Sequence, residues 1–170
     1  MKKIYLAGGC FWGVEHYLSL VNGVIETTVG YANSDIDSPS YEDLKQHRSS
    51  ASETVEVVYD DNIISLKEIL DLFFMIIDPT VSDRQGHDEG HQYRTGIYYV
   101  DDEDVKIISN ALNDLASKYD KPIVTELLPL DNFTKAEEYH QDYLIKNPDG
   151  YCHVDKRMFD IAKNYKKNQQ

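Results

Sequence analysis

Strand-like runs alternate with amphipathic, helix-like segments in the order β-α-β-β-α-β, then α-β-α, and few architectures accommodate that order. "KIYLA" (3–7) reads as a short strand, and the glycines after it lead into "FWGVEHYLSL", where Phe11, Val14, Leu18 and Val21 recur at helical spacing. Asn22-Gly23 marks a turn, "VIETTVGY" is rich in β-branched residues, and "ETVEVVYD" (53–60) alternates as a strand. Ser65 and Glu68 form a capping-box pattern ahead of Leu66, Ile69, Leu70, Phe73, Phe74 and Ile77 on one helical face, with Pro79 as the stop. A sixth segment, "YRTGIYYV" (93–100), reads as a strand. A helix over 102–118, a strand at "IVTELLP" and a helix from Thr134, with a second capping box to Glu137, complete the regular part. The pattern predicts an α+β protein with a ferredoxin-like βαββαβ core, a mixed sheet and added helices. One domain is expected over 1–170, with a largely irregular tail over 147–170 whose closing "NYKKNQQ" reads as frayed.

Composition narrows the function. With 17 Lys+Arg against 30 Asp+Glu the net charge is −13, which argues against a nucleic-acid partner, because phosphate backbones are held by positive charge. The apolar run near the N-terminus, "IYLA", is too short for a secretory core or a membrane span, so a cytoplasmic protein with no membrane partner is expected. The two cysteines, Cys10 and Cys152, lie far apart with no Cys-x-x-Cys spacing, so neither a disulfide framework nor a thiol zinc site is implied. Nothing in the pattern suggests more than a monomer.

The stretch "AGGCFWGVE" (7–15) sets Cys10 where a strand becomes a helix. A helix N-terminus stabilises a thiolate through its unpaired N–H groups and positive dipole end, and Gly8 and Gly9 permit an unusual turn and the close approach of a ligand. Position alone does not separate a reactive thiol from a small buried hydrophobe. Phe11 and Trp12 point about 100° apart on a helix, so both do not easily face one core, and one or both can wall a pocket beside Cys10.

"GGCFWGVE" closely resembles the active-site motif of the A-class peptide methionine sulfoxide reductases. The resemblance continues through "VGYAN" (29–33), "SYED" (40–43), "ETVEVVYD" (53–60), "DPTVSDRQGHDEGHQYRTGIYY" (78–99) and "HQDYLIKNPDGYCH" (140–153), covering nearly the whole chain in order. It implies reduction of the S epimer of methionine sulfoxide, free or in oxidised proteins, without a cofactor. By the same resemblance Cys10 is the nucleophile, Glu53 the acid on the sulfoxide oxygen, and Phe11 with Trp12 the wall around the methyl group. The strand pattern by itself makes Glu53 a solvated edge residue. Tyr41 and Tyr93 match tyrosines that hydrogen-bond near that oxygen, and Asp88 an aspartate that helps to hold a site water. Cys152, in "NPDGYCH", matches a resolving cysteine that closes a disulfide with the Cys10 sulfenic acid, and thioredoxin is the implied reductant.

Two departures stand out. Ser50-Ala51-Ser52 precedes Glu53 where the family usually reads "GHA", removing one histidine beside the acid, and His87 and His91 replace residues more often amide or hydroxyl, with solvent as their expected surroundings. Rival readings remain. "HDEGH" (87–91) sets two histidines at i and i+4, but Gly86 and Gly90 favour a loop over the helix that a metal pair would need. A thiol peroxidase or redox sensor would share the cysteine pair, yet peroxide has no methyl group for Phe11 and Trp12 to enclose. An acidic binding module with an inert Cys10 would leave the matched order of segments unexplained.

Overall fold

Alternation along β1 (Lys2–Gly8) sends Ile4 and Leu6 to one side of a sheet, into the main apolar core, and Tyr5 and Ala7 to the other, into a smaller cluster. The computed structural model describes residues 1–165; residues 166–170, part of the segment expected to fray, lie outside the described residues. After β1 come α1 (Phe11–Ser19), β2 (Val24–Ala32), the short α2 (Tyr41–Lys45), β3 (Ser52–Tyr59) and α3 (Leu66–Phe74). A two-stranded hairpin, β4 (Arg84–Gln85) and β5 (Asp88–Glu89), precedes β6 (Thr95–Tyr99), α4 (Asp104–Ala116), β7 (Glu126–Pro129), β8 (Phe133–Lys135), α5 (Tyr143–Lys146) and α6 (Arg157–Asn164).

The main sheet runs β7-β6-β1-β3-β2-β8. Its inner four strands, β6-β1-β3-β2, are antiparallel neighbours and form the ferredoxin-like core, with α1 joining β1 to β2 and α3 lying between β3 and β6. β7 joins β6 in parallel, which makes the sheet mixed, and β8 extends the far edge beside β2. Leu18 on α1, Ile69 and Phe73 on α3 and Ile108 on α4 pack with Ile4, Leu6, Val55 and Val57 in the main core.

The capping box of α3 forms as expected: Ser65 Oγ accepts from Glu68 N–H, and the Glu68 carboxylate accepts from Ser65 N–H. The helix ends at Phe74, before Pro79, because Met75 N–H and Ile76 N–H bond three residues back and tighten the last turn. The helix expected from Thr134 is absent. Thr134 instead pairs with Tyr31 in β8, and the Glu137 carboxylate, read as half of a capping box, accepts from Tyr31 Oη and from Tyr41 N–H. A 3₁₀ turn (Glu138–His140) and the four-residue α5 stand in its place. The tail is irregular over 147–156, as expected, and α6 then packs it down: Ala162 is fully buried, and Met158 and Phe159 pack against the core.

Gln141 continues the edge of β2 at Val29, just beyond its pairing with β8. Its Oε1 accepts from Val29 N–H at 3.0 Å, and its Nε2 donates to Val29 O at 2.9 Å and to Ala136 O at 3.0 Å. Gln141→Leu would leave a buried N–H unpaired and is expected to lower stability by about 1–3 kcal/mol. Urea unfolding measures this, and an unchanged midpoint and slope would show that β2 does not depend on the side chain.

Candidate active site

The turn from β1 into α1 needs Gly9, whose φ of +90° is strained for any residue with a Cβ. Cys10 then sits at the N-cap of α1, buried, and its side chain makes no capping bond. The helix start alone does not hold Cys10 as a thiolate. Burial pushes its pKa well up, and the negative charges of Glu53 and Asp88 add to this, while the Trp12 backbone N–H pulls the other way. That corrects the expectation from position, because desolvation outweighs the helix terminus here.

Strand pattern makes Glu53 a solvated edge residue, and its placement is the reverse. β3 lies in the middle of the sheet, Glu53 opposes Tyr31 in register, and its side chain projects on the helix-facing side with Val55 and Val57. Only 1% of the residue is exposed. Oε1 accepts from Phe11 N–H at 3.3 Å and Oε2 from Gln92 Nε2 at 3.0 Å. Burial nevertheless pushes its pKa up to about 8, against both hydrogen bonds, so the carboxyl carries a proton at neutral pH. Ala51, where the family usually has histidine, is buried in the apolar core.

Phe11 and Trp12 divide as their angular offset requires. Phe11 is buried, with its ring 5.8 Å from that of Tyr31, whereas Trp12 is half-buried. The indole stacks on Tyr143 at 3.7 Å between centroids and 12° between planes, and its Nε1–H donates to His140 Nδ1 at 3.0 Å. Tyr41, at the start of α2, and Tyr93, in a 3₁₀ turn over His91–Tyr93, are half-buried. Burial first, and then the charges of Glu53 and Cys10, pushes the Tyr41 phenol up to about 12. Tyr93 is raised further by burial and by Glu53, Tyr41, Asp88 and Cys10. Cys10, Glu53, Tyr41, Asp88 and Tyr93 thus lie within electrostatic reach of one another. Asp88, on β5, accepts from Tyr151 Oη at 2.8 Å, which ties the hairpin to the tail.

Cys152 lies over the first turns of α1. A Cβ on Gly13 would come within 2.9 Å of Cys152 Sγ and 3.0 Å of Val154 Cγ2, and one on Gly9 within 3.1 Å of His153 Nε2. The close approach expected at Gly8 and Gly9 is made by the chain itself: a Cβ on Gly8 would come within 2.8 Å of Ile77 and Phe73, and one on Gly9 within 2.7 Å of Gln85 Cβ, while Gly13 admits the tail. Cys152 Sγ donates to Val154 O at 3.4 Å, burial raises its pKa, and both thiols are free. "HDEGH" runs from the β4–β5 turn, entered through Gly86 at φ +60°, along β5 to the start of the next turn, so its histidines share no helical face. His87 is exposed, as is His91, whose Nδ1 lies 3.0 Å from Asp83 Oδ1. Among the described residues no three His, Cys, Asp or Glu side chains are placed to hold a metal ion.

Sequence reasoning missed Gln92, His140, Tyr143 and Glu15. Glu15 is buried, accepts from Asp142 N–H at 2.8 Å and Thr27 Oγ1 at 3.1 Å, and has a pKa pushed up to about 7 by burial. Each partner is distant along the chain, so no local pattern marks these residues. Only their place inside or beside the matched segments does.

A fold of this kind carrying a buried thiol, a protonated carboxyl and a second thiol defines a thiol-dependent oxidoreductase. The family model "Peptide methionine sulfoxide reductase" matches residues 2–170, and the chain belongs to that family. The peptide methionine sulfoxide reductase MsrA of Clostridium perfringens (strain 13 / Type A) is 58% identical over 154 residues, 91% of this chain and 98% of that protein. The crystal structure of Mxr1 from Saccharomyces cerevisiae in reduced form superposes with a TM-score of 0.84 at 40% identity, covering 89% of this chain and 88% of that one. Mxr1 in complex with Trx2 gives 0.61 at 32% identity, over 84% of each chain.

Gly13→Ala is expected to lift the Cys152–Val154 segment off α1 and to speed alkylation of Cys152 several-fold, with Cys10 unaffected. Peptide-resolved iodoacetamide labelling measures both thiols. Equal Cys152 rates in the two proteins would mean that the segment accepts the methyl group in place.

Proposed function

We propose that this chain is a single catalytic domain, acting as a cytoplasmic monomer, that reduces the S epimer of methionine sulfoxide, free or in proteins. The observation that carries the reading is the Glu53 carboxyl, buried and protonated in the same site as the Cys10 thiol. Family membership and the half-buried Trp12 beside Cys10 support it.

Glu53 gives its proton to the sulfoxide oxygen while the Cys10 sulfur attacks the sulfoxide sulfur. The thiol proton restores Glu53, and the oxygen passes to Cys10 as a sulfenic acid, releasing methionine. Tyr41 and Tyr93 donate to the same oxygen, Phe11 and Trp12 enclose the methyl group, and Asp88 orders the polar side of the site. The Cys152 thiol then displaces water from the sulfenic acid, forming the Cys10–Cys152 disulfide. A thioredoxin dithiol supplies two electrons and two protons to reopen it. Thioredoxin suits a cytoplasmic setting, where thiols are kept reduced.

The deciding experiment mixes reduced protein, without recycling reductant, with each separated epimer of a methionine sulfoxide peptide. Methionine from the S epimer alone, at about one per chain with a new Cys10–Cys152 bond, is expected from this stoichiometry. No methionine from either epimer would shift the reading to a thiol peroxidase or sensor. Cys10→Ser is expected to abolish the reaction, and Cys152→Ser to make one methionine and stall. Sustained turnover of Cys152→Ser with thioredoxin would remove its resolving role.

Glu53→Gln is expected to slow the single-turnover step by about 10²–10⁴-fold. The acid form of Glu53 persists up to about pH 8 and is lost above it, so the wild-type rate acquires a falling limb there. Single-turnover rates across about pH 6–10 check the sign, since only an acid is lost as pH rises; a limb that survives in Glu53→Gln belongs to another group.

A further inference from the structure

We infer that His140 is a positioning residue for the reaction proposed above, holding the Trp12 indole at the angle the substrate methyl group meets. The His140 residue is 1% exposed and sits at the centre of an aromatic cluster. Its ring centroid lies 5.2 Å from that of Phe11, 4.6 Å from Tyr41, 5.7 Å from Trp12 and 4.0 Å from Tyr139. An apolar ring would fill that space without polar cost. Yet the residue is a histidine, and among the described residues its Nε2 is buried with no hydrogen-bond partner. A buried unpaired N–H is destabilising, so the nitrogen that is paired has to account for the histidine.

The paired nitrogen is Nδ1, which accepts from Trp12 Nε1–H at 3.0 Å. Indole nitrogen only donates, so Nδ1 must be unprotonated and the proton of the neutral ring lies on Nε2. Burial lowers the His140 pKa and favours the neutral ring, against the pull of the Glu137 carboxylate. One edge of Trp12 is thereby fixed by His140 and one face by Tyr143. Tyr143 is secured in turn, because Glu15 on α1 accepts from the N–H of Asp142, its neighbour. The indole is held on two sides, which leaves a defined surface for a methyl group.

Trp12 is the only tryptophan in the chain, so its emission and its indole N–H report on this contact directly. His140→Phe keeps an aromatic ring and removes the acceptor; His140→Asn returns an acceptor near the Nδ1 position. The expectation for His140→Phe is a shifted Trp12 emission and a KM for methyl sulfoxide raised about tenfold, the scale of one hydrogen bond, with kcat within about twofold. His140→Asn is expected to recover most of both. In a Trp12→Phe background His140→Phe is expected to add nothing. Unchanged KM and emission in His140→Phe, or an undiminished effect without Trp12, would overturn the inference. In the unaltered protein the indole N–H resonance is expected to exchange slowly with solvent, a readout independent of whether any variant folds; fast exchange would likewise overturn it. An unaltered protein that reduces no sulfoxide would instead refute the proposed reaction, a result separate from these two spectroscopic readouts.

Discussion

The site is organised around a carboxyl group buried under the start of a helix. Glu53 takes a position on β3 that by alternation belongs to the apolar core, and its two oxygens are met only by Phe11 N–H and Gln92 Nε2 among the described residues. Because desolvation raises its folded pKa to about 8 from an ordinary 4.5, the folded chain retains a proton that the unfolded chain releases. The contribution of Glu53 to stability therefore falls as pH rises from about 4.5 towards about 8, the reverse of an ion-paired carboxylate. Such a residue is costly to the fold, which fits the proton chemistry proposed for it.

The second thiol reaches this site on a strap fixed at both ends. At one end Tyr143 stacks on Trp12; at the other α6 is anchored by buried Ala162, by the Phe159 ring packed edge-on to His16 at 4.6 Å, and by Tyr165 Oη donating to Glu68 at 3.3 Å. Between the anchors, His153 Nε2 lies 3.0 Å from Gly8 O and Tyr151 bonds Asp88. Glycines at 9 and 13 let the strap lie directly on α1. For the resolving role proposed above, a strap held at both ends limits the chain that has to be ordered, because part of the cost of loop closure is met in the native state.

Periodicity made the ferredoxin-like core legible, because β1, β2, β3, α1 and α3 each bury one face and say so in their spacing. It failed at Thr134, where the Ser/Thr-x-x-Glu pattern met a demand from β2 for an edge partner, and pairing with Tyr31 won. It also missed α6, whose apolar residues are too few to stand out until α1 is beside them. The glycines and aromatics around Cys10 marked the turn into α1, but only the resemblance separated a reactive thiol from a buried one. Glu53 was not, since a strand-end carboxylate looks solvated until the neighbours on both sides of the strand are known. Gln92, His140 and Glu15 are joined to the site by bonds to residues 39, 128 and 127 positions away. No local rule sees such separations.

The two raised pKa values belong together. Taken singly, a buried Cys10 held as a thiol looks inactive and a buried Glu53 held as an acid looks unstable. Each would be driven further from its charged form by the charge of the other, so the resting pair is neutral. Sulfoxide and thiol enter without net charge, and sulfide and sulfenic acid leave without it; no proton is gained or lost overall. In the reaction proposed above, a site that passes one proton from carboxyl to oxygen and takes one back from sulfur needs no exchange with solvent, which suits the burial of Cys10 and Glu53.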